Sequence, residues 1–201
     1  EGSYLVGVAA ALKSKSGNVG FIGGVNTPLI AKFEAGFIAG AKAVNSKIKV
    51  QSTYISNFPD FSGFNDPAKG YEAAKGMYEN GADVVYAAAG GTGTGMHKAA
   101  SEAGKWSIGV DADEATYPAH ADYTSTILTS MLKRVDVGVG AFVADALAGT
   151  PTAGVKVWGI AEGGVGYTTT GGYIDDITGK IDEYSAKIAS GEVVVPTDPK
   201  A

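Results

Sequence analysis

Cysteine is absent from this 201-residue chain, which excludes disulfides, thiolate metal sites and cysteine nucleophiles. Histidine is scarce. His97 and His120 are the two present, so a multi-histidine metal centre is not expected. No apolar run approaches the length of a membrane span. Lys and Arg number 16 against 21 Asp and Glu, and the lysines are scattered. A net charge of -5 without a basic cluster argues against nucleic acid as a partner. There is no G-x-S-x-G elbow and no spaced acid–base pair, which weighs toward binding and against an enzyme. No cofactor is expected. GFIGG at 20–24 lacks the full dinucleotide spacing and reads as a strand followed by a tight turn. GGTGTG at 90–95 lacks the Gly-Lys-Ser/Thr of a phosphate-binding Walker loop.

What is plentiful is glycine, 30 residues, several of them directly after apolar runs. That placement suits strand-to-helix turns. The stretch from Asp83 to Asp113 shows the pattern best. An apolar strand (Val84, Val85, Tyr86) runs into Gly90 and Gly91. A helix from Met96 follows and stops at Gly104, and a second strand (Trp106 to Val110) ends on Asp111 and Asp113. A unit of this length implies parallel strands and a right-handed crossover, so both loops open on the same edge of the sheet. Ligands bind at that carboxyl edge.

The remaining chain extends the alternation. A helix is expected over Gly2–Ser14 and a strand over Asn18–Ile22. Pro28 opens a helix to about Val44, with Ile30, Phe33, Phe37 and Ala41 on its core stripe. Ile48–Ile55 reads as a strand, and Asp66-Pro67 as a helix start running to near Gly81. The loop around Pro118 is a candidate crossing between two lobes. Thr126–Leu128 reads as a short strand. Ser130 is expected to cap a helix carrying Met131, Val135, Val139, Phe142 and Leu147 on one face. A strand over Val155–Ile160, a glycine-rich turn, a helix over Ile177–Ile188 and a strand over Val193–Val195 complete the reading. The fold class is α/β, with a parallel sheet flanked by helices.

Four positions invite a functional reading, each beside a plainer one. The glycine loop at Gly90 and Gly91 either presents backbone N–H groups to a ligand or only turns the chain. Asp111 either accepts hydrogen bonds from vicinal hydroxyls or is a solvated loop residue. Lys133, expected on the first turn of a helix, sits where the helix dipole disfavours a cation, a weak hint of use; Arg134 beside it reads as a surface charge. Phe64, in a polar loop, is either a stacking platform for a flat ligand or packs on the base of its own loop.

Several segments in order resemble one family: GNVGFIGGVNTPLIAKFEAGFIAGAK, FNDPAKGYEAAKGMYENGADVVYAAAGGTGTG, IGVDADE and LTSMLKRVDVGV. They are similar to the basic membrane protein family, solute-binding lipoproteins of ABC importers typified by a purine nucleoside receptor. The resemblance runs from Glu1 to about Tyr167. It implies a type I periplasmic-binding-protein fold, in which two lobes close on a nucleoside. By motif it implies a ligand site of Phe64, Gly90 or Gly91, Asp111 and Lys133. Family members carry roughly a hundred further N-terminal residues, so the chain is expected to hold one lobe and part of the other. The resulting division is 1–16 in lobe 1, 17–124 as lobe 2, and 125–201 as the remainder of lobe 1 with hinge segments. The expected partners are a nucleoside, a transporter permease, and the N-terminal segment or a second copy of the chain. The expected location is extracytoplasmic, lipid-anchored in the full-length form. The alternative reading is the ligand-sensing domain of a lactose-repressor-type regulator.

Overall fold

Five parallel strands and one antiparallel edge strand form a single sheet in the computed structural model, which describes residues 1–200. The strands are β1 (Asn18–Asn26), β2 (Lys49–Asn57), β3 (Val84–Ala88), β4 (Trp106–Asp111), β5 (Ile127–Lys133) and β6 (Val165–Tyr167), in the spatial order β2-β1-β3-β4-β5-β6. The helices are α1 (Gly2–Lys13), α2 (Pro28–Val44), α3 (Pro67–Glu79), α4 (Gly93–Ala103), α5 (Val135–Leu147) and α6 (Thr178–Ala189). The expected α/β class and parallel sheet are what the chain adopts.

Three layers result from the pleat. Successive strand side chains point to opposite faces. Along β3, Val84, Tyr86 and Ala88 join the core under α1, α2 and α6, while Val85 and Ala87 join Met77 and Met96 under α3 and α4. Phe21, Phe37 and Tyr86 form the centre of the first core, with ring centroids 5.3–6.2 Å apart. Tyr86 keeps its hydroxyl satisfied on Ser3 Oγ at 3.1 Å, and burial pushes its pKa up.

The helix starts are set by their caps. Thr27 accepts from the Ile30 amide and Asp66 from the Lys69 amide, each with proline at the first helical turn. Glycine brings helices together as well as ending them. A Cβ at Gly40 would lie 2.0 Å from the Tyr4 carbonyl oxygen, so α1 and α2 meet backbone to backbone. A Cβ at Gly95 would lie 1.8 Å from the Pro67 carbonyl oxygen, which draws α4 equally close to α3.

Several expected boundaries are corrected. β1 runs on through Gly23 and Gly24 to Asn26, so no turn falls there. A Cβ at Gly24 would stand 2.4 Å from the Phe64 ring, which is why glycine occupies that strand position. β5 continues past Leu128 to Lys133, and Ser130 lies buried within it instead of capping a helix. Residues 155–160 and 193–195 form no strand; β6 lies instead inside the stretch expected as a glycine-rich turn, and pairs antiparallel with β5. The segment around Pro118 joins β4 to its neighbour β5 in the same sheet. α1 likewise packs within this body, against α2 and the sheet.

α5 differs from every other helix. None of its residues is buried. Phe142 is 63% exposed and Leu147 85%, with Val135, Val139 and Val143 exposed beside them. An apolar helix with no buried residue departs from ordinary burial.

Candidate ligand site

Because β1 to β5 are parallel, their carboxyl ends share one edge of the sheet. A cavity of about 470 Å³ opens there. The first turns of α2 supply Leu29, Ile30 and Phe33. The turn after β2 supplies Phe64, β3 and the residues after it supply Ala88, Ala89 and Gly90, the end of β4 supplies Val110 and Asp111, and the last residue of β5 is Lys133.

Phe64 ends the 3-10 turn Phe61–Phe64 and is half-buried, its ring laid over Gly24. The Phe61 ring stacks on it at 6.4 Å, and the Phe58 ring meets Phe61 edge-on at 5.9 Å. The glycine loop is tied to this aromatic turn. Thr92 Oγ1 donates to the Gly63 carbonyl at 2.7 Å and accepts from the Asp66 amide at 2.8 Å. Gly90 takes φ +56°, and a Cβ there would lie 3.0 Å from the Phe64 carbonyl oxygen.

Facing this apolar side, Lys133 Nζ lies 2.8 Å from Asp111 Oδ1. Both side chains are about half exposed, so the pair contributes little to stability and remains open to a ligand. Asp113, the second acidic residue of the loop, does not line the cavity; its Oδ2 accepts from Thr170 Oγ1.

The structure therefore gathers Phe64, Gly90, Asp111 and Lys133 around one cavity. Gly91 lies off its wall, next to Asn65. Lys133 is corrected in one respect: it ends a strand, and α5 begins only at Val135, so it does not lie on the first turn of a helix. Arg134 is the exposed charge expected, doubly bonded to Asp136. Phe33, expected in the core, is half-buried and lines the cavity. Leu29 was not anticipated. Its signal in the sequence is an apolar residue directly after Pro28, ahead of the core stripe.

A sequence profile described as "Bmp: ABC transporter substrate-binding protein PnrA-like" matches residues 1–199. The chain belongs to the Bmp family. Among curated relatives, the "CD4+ T-cell-stimulating antigen" of Listeria monocytogenes is 39% identical, over 99% of this chain and 58% of its own length. The "ABC transporter nucleoside-binding protein BmpA" of Lactococcus lactis is 36% identical, over 98% of this chain and 58% of its own length. This chain thus spans less than two thirds of the Bmp relatives it matches. Among solved structures, a solute-binding protein from Aeropyrum pernix K1 superposes with a TM-score of 0.77 at 27% identity, over all of this chain and 65% of that one. A transcriptional activator of the comK gene from Bacillus halodurans superposes with a TM-score of 0.79 at 22% identity, over 96% of this chain and 63% of that one, a likeness of fold alone. No described helix is long and apolar enough to cross a membrane.

Proposed function

We propose that this Bmp-family chain carries the nucleoside-holding wall of an extracytoplasmic ABC-importer receptor. The observation that carries the reading is the convergence of an aromatic ring and an Asp–Lys pair on opposite sides of one cavity at the strand ends. The Phe64 ring stacks on the base. Asp111 accepts from two ribose hydroxyls, which a carboxylate with two oxygens does well, and Lys133 donates to one of them. Gly90 lets the backbone approach. The relative from Lactococcus lactis, named for nucleoside binding, supports the ligand class.

The reading is tested by titrating adenosine at millimolar concentration into the ¹⁵N-labelled chain. Amide shifts are expected at Phe64, Gly90, Asp111 and Lys133. An unmoved rim would refute the site.

The bare face of α5 supports the two-lobed arrangement of the family, with its seam moved from the expected position. We place 135–160 with the other lobe, and α1 and β5 with the sheet. In longer Bmp proteins the region outside the matched length covers α5 and supplies the opposite wall of the site. The permease partner and a lipid anchor belong to that whole protein. On this reading the 201-residue chain alone binds nucleosides weakly and self-associates through α5. Submicromolar affinity by calorimetry, or a strictly monomeric chain by light scattering at high concentration, would contradict it.

A further inference from the structure

Among the described residues, Asp111 is the one non-glycine with positive φ, at +69°. Across it, the Ala112 amide donates to the Val110 carbonyl at 2.8 Å. A hydrogen bond of that span around a central residue of that φ makes a γ-turn of the rarer, strained form. Such strain persists only where the surroundings over-determine it.

Glu114 is what surrounds it. Its Oε1 accepts from the Val110 amide at 2.8 Å, holding the residue that opens the turn. Its own amide donates to Ser130 Oγ in β5 at 3.1 Å. Its Oε2 lies 2.8 Å from His97 Nε2, and its carbonyl accepts from His120 Nδ1 at 3.0 Å. All four polar groups are partnered while the residue is only 5% exposed. Gly109 makes the room: a Cβ there would lie 2.9 Å from Glu114 Cβ and 2.7 Å from Ser130 Oγ.

We propose that Glu114 is the positioning residue of the ligand site, clamping the γ-turn and so aiming the Asp111 carboxylate into the cavity. The clamp rests on geometry; its effect on ligand choice rests on the nucleoside reading above.

The partners also define the protons. His120 Nδ1 faces a carbonyl, so it carries hydrogen, and Nε2 accepts from Thr94 Oγ1 at 3.0 Å. Ser107 Oγ donates to the Thr126 carbonyl at 3.1 Å, so it accepts from His97 Nδ1. One proton then lies between His97 Nε2 and Glu114 Oε2. The three side chains place ligand-type atoms within 4.8 Å of one another, and in this structure those groups are engaged in hydrogen bonds to one another and to the chain, which makes them a clamp. A glutamine at 114 would supply the shared proton as an amide N–H and keep the acceptor for Val110.

The test compares Glu114→Gln with Glu114→Ala. Residual dipolar couplings report φ at Asp111, and NMR titration reports affinity for adenosine and for 2′,3′-dideoxyadenosine. In Glu114→Ala, φ at Asp111 leaves the positive region and the preference for adenosine falls about tenfold, the equivalent of one charge-assisted hydrogen bond. Affinity for the dideoxynucleoside, which lacks both vicinal ring hydroxyls, stays unchanged. In Glu114→Gln, φ stays positive and the preference stays within about threefold of the parent. An alanine variant that keeps both φ and preference overturns the clamp, as does a glutamine variant that behaves like alanine. Should the alanine variant not fold, Ser130→Ala removes only the acceptor of the Glu114 amide. A partial loss of preference then supports the clamp, and no change overturns it. Should no variant bind either nucleoside, the ligand reading fails, while φ at Asp111 still decides the clamp.

Discussion

Asp111 holds a backbone conformation that few side chains tolerate, and its chemistry is separable from its geometry. Asparagine also accepts positive φ, and the exposed pair with Lys133 is worth little. Asp111→Asn is therefore expected to change unfolding free energy by under about 0.5 kcal/mol in urea titrations while weakening nucleoside binding about tenfold. Asp111→Val, β-branched, is expected to cost about 1–3 kcal/mol by the same measurement. His120 gives a pH signature. Burial, and then the neighbouring His97, push its pKa below the usual value. The folded chain thus resists a proton that the unfolded chain takes up near pH 6.5. Stability is fully present above that pH and falls as pH drops toward the folded pKa, because the unfolded state then binds more protons. Glu114 also faces the ring and opposes part of the shift. His120→Asn keeps a donor toward the Glu114 carbonyl without titrating, and is expected to flatten the slope in melts run between pH 5 and 7.5. None of this network was legible in the sequence. His97 and Glu114 lie on different elements, and only the fold brings their side chains within 2.8 Å.

The elements show where local pattern suffices and where it does not. Pro28 and Asp66-Pro67 announce α2 and α3 because a proline or a cap acts within one turn. The second half of β5 looks like a helix start because Ser130 resembles a cap and Met131, Leu132 and Lys133 favour helix. Pairing with β4 on one side and β6 on the other overrides that preference. Residues 155–160 fail for the opposite reason: they alternate like a strand but have no strand to pair with. Helix packing yields a sharper expectation. Gly40→Ala forces a methyl group onto the Tyr4 carbonyl, and backbone cannot swing aside as a side chain can. It is expected to destabilise by about 1–3 kcal/mol, read by thermal and urea unfolding. On α5 the expectation reverses. Phe142→Ser changes monomer stability by under about 0.5 kcal/mol, because the ring is mostly in water, and weakens self-association seen by light scattering.

For the molecule as a whole, the parallel sheet was legible because alternating strands and helices admit few topologies. The shared cavity followed from one topological fact, that loops after parallel strands open on a common edge. The surroundings of α5 were less legible. Residues 135–147 are rich in apolar side chains, and apolar character alone does not say what covers them. Only the finished packing shows that residues 1–200 bury none of them, although the Trp158 indole lies beside Gly138 and Lys156 pairs with Asp145.

Arg134 is the single residue between the ammonium-bearing end of β5 and the first turn of α5. A body seated on that bare helix leans on the same peptide that presents Lys133 to Asp111. Occupancy of the cavity and seating of the body then share one mechanical joint. Any coupling between the two would act by an equal factor in both directions. Lys133 and α5 thus have a single backbone link, Arg134, through which any displacement of one would pass to the other.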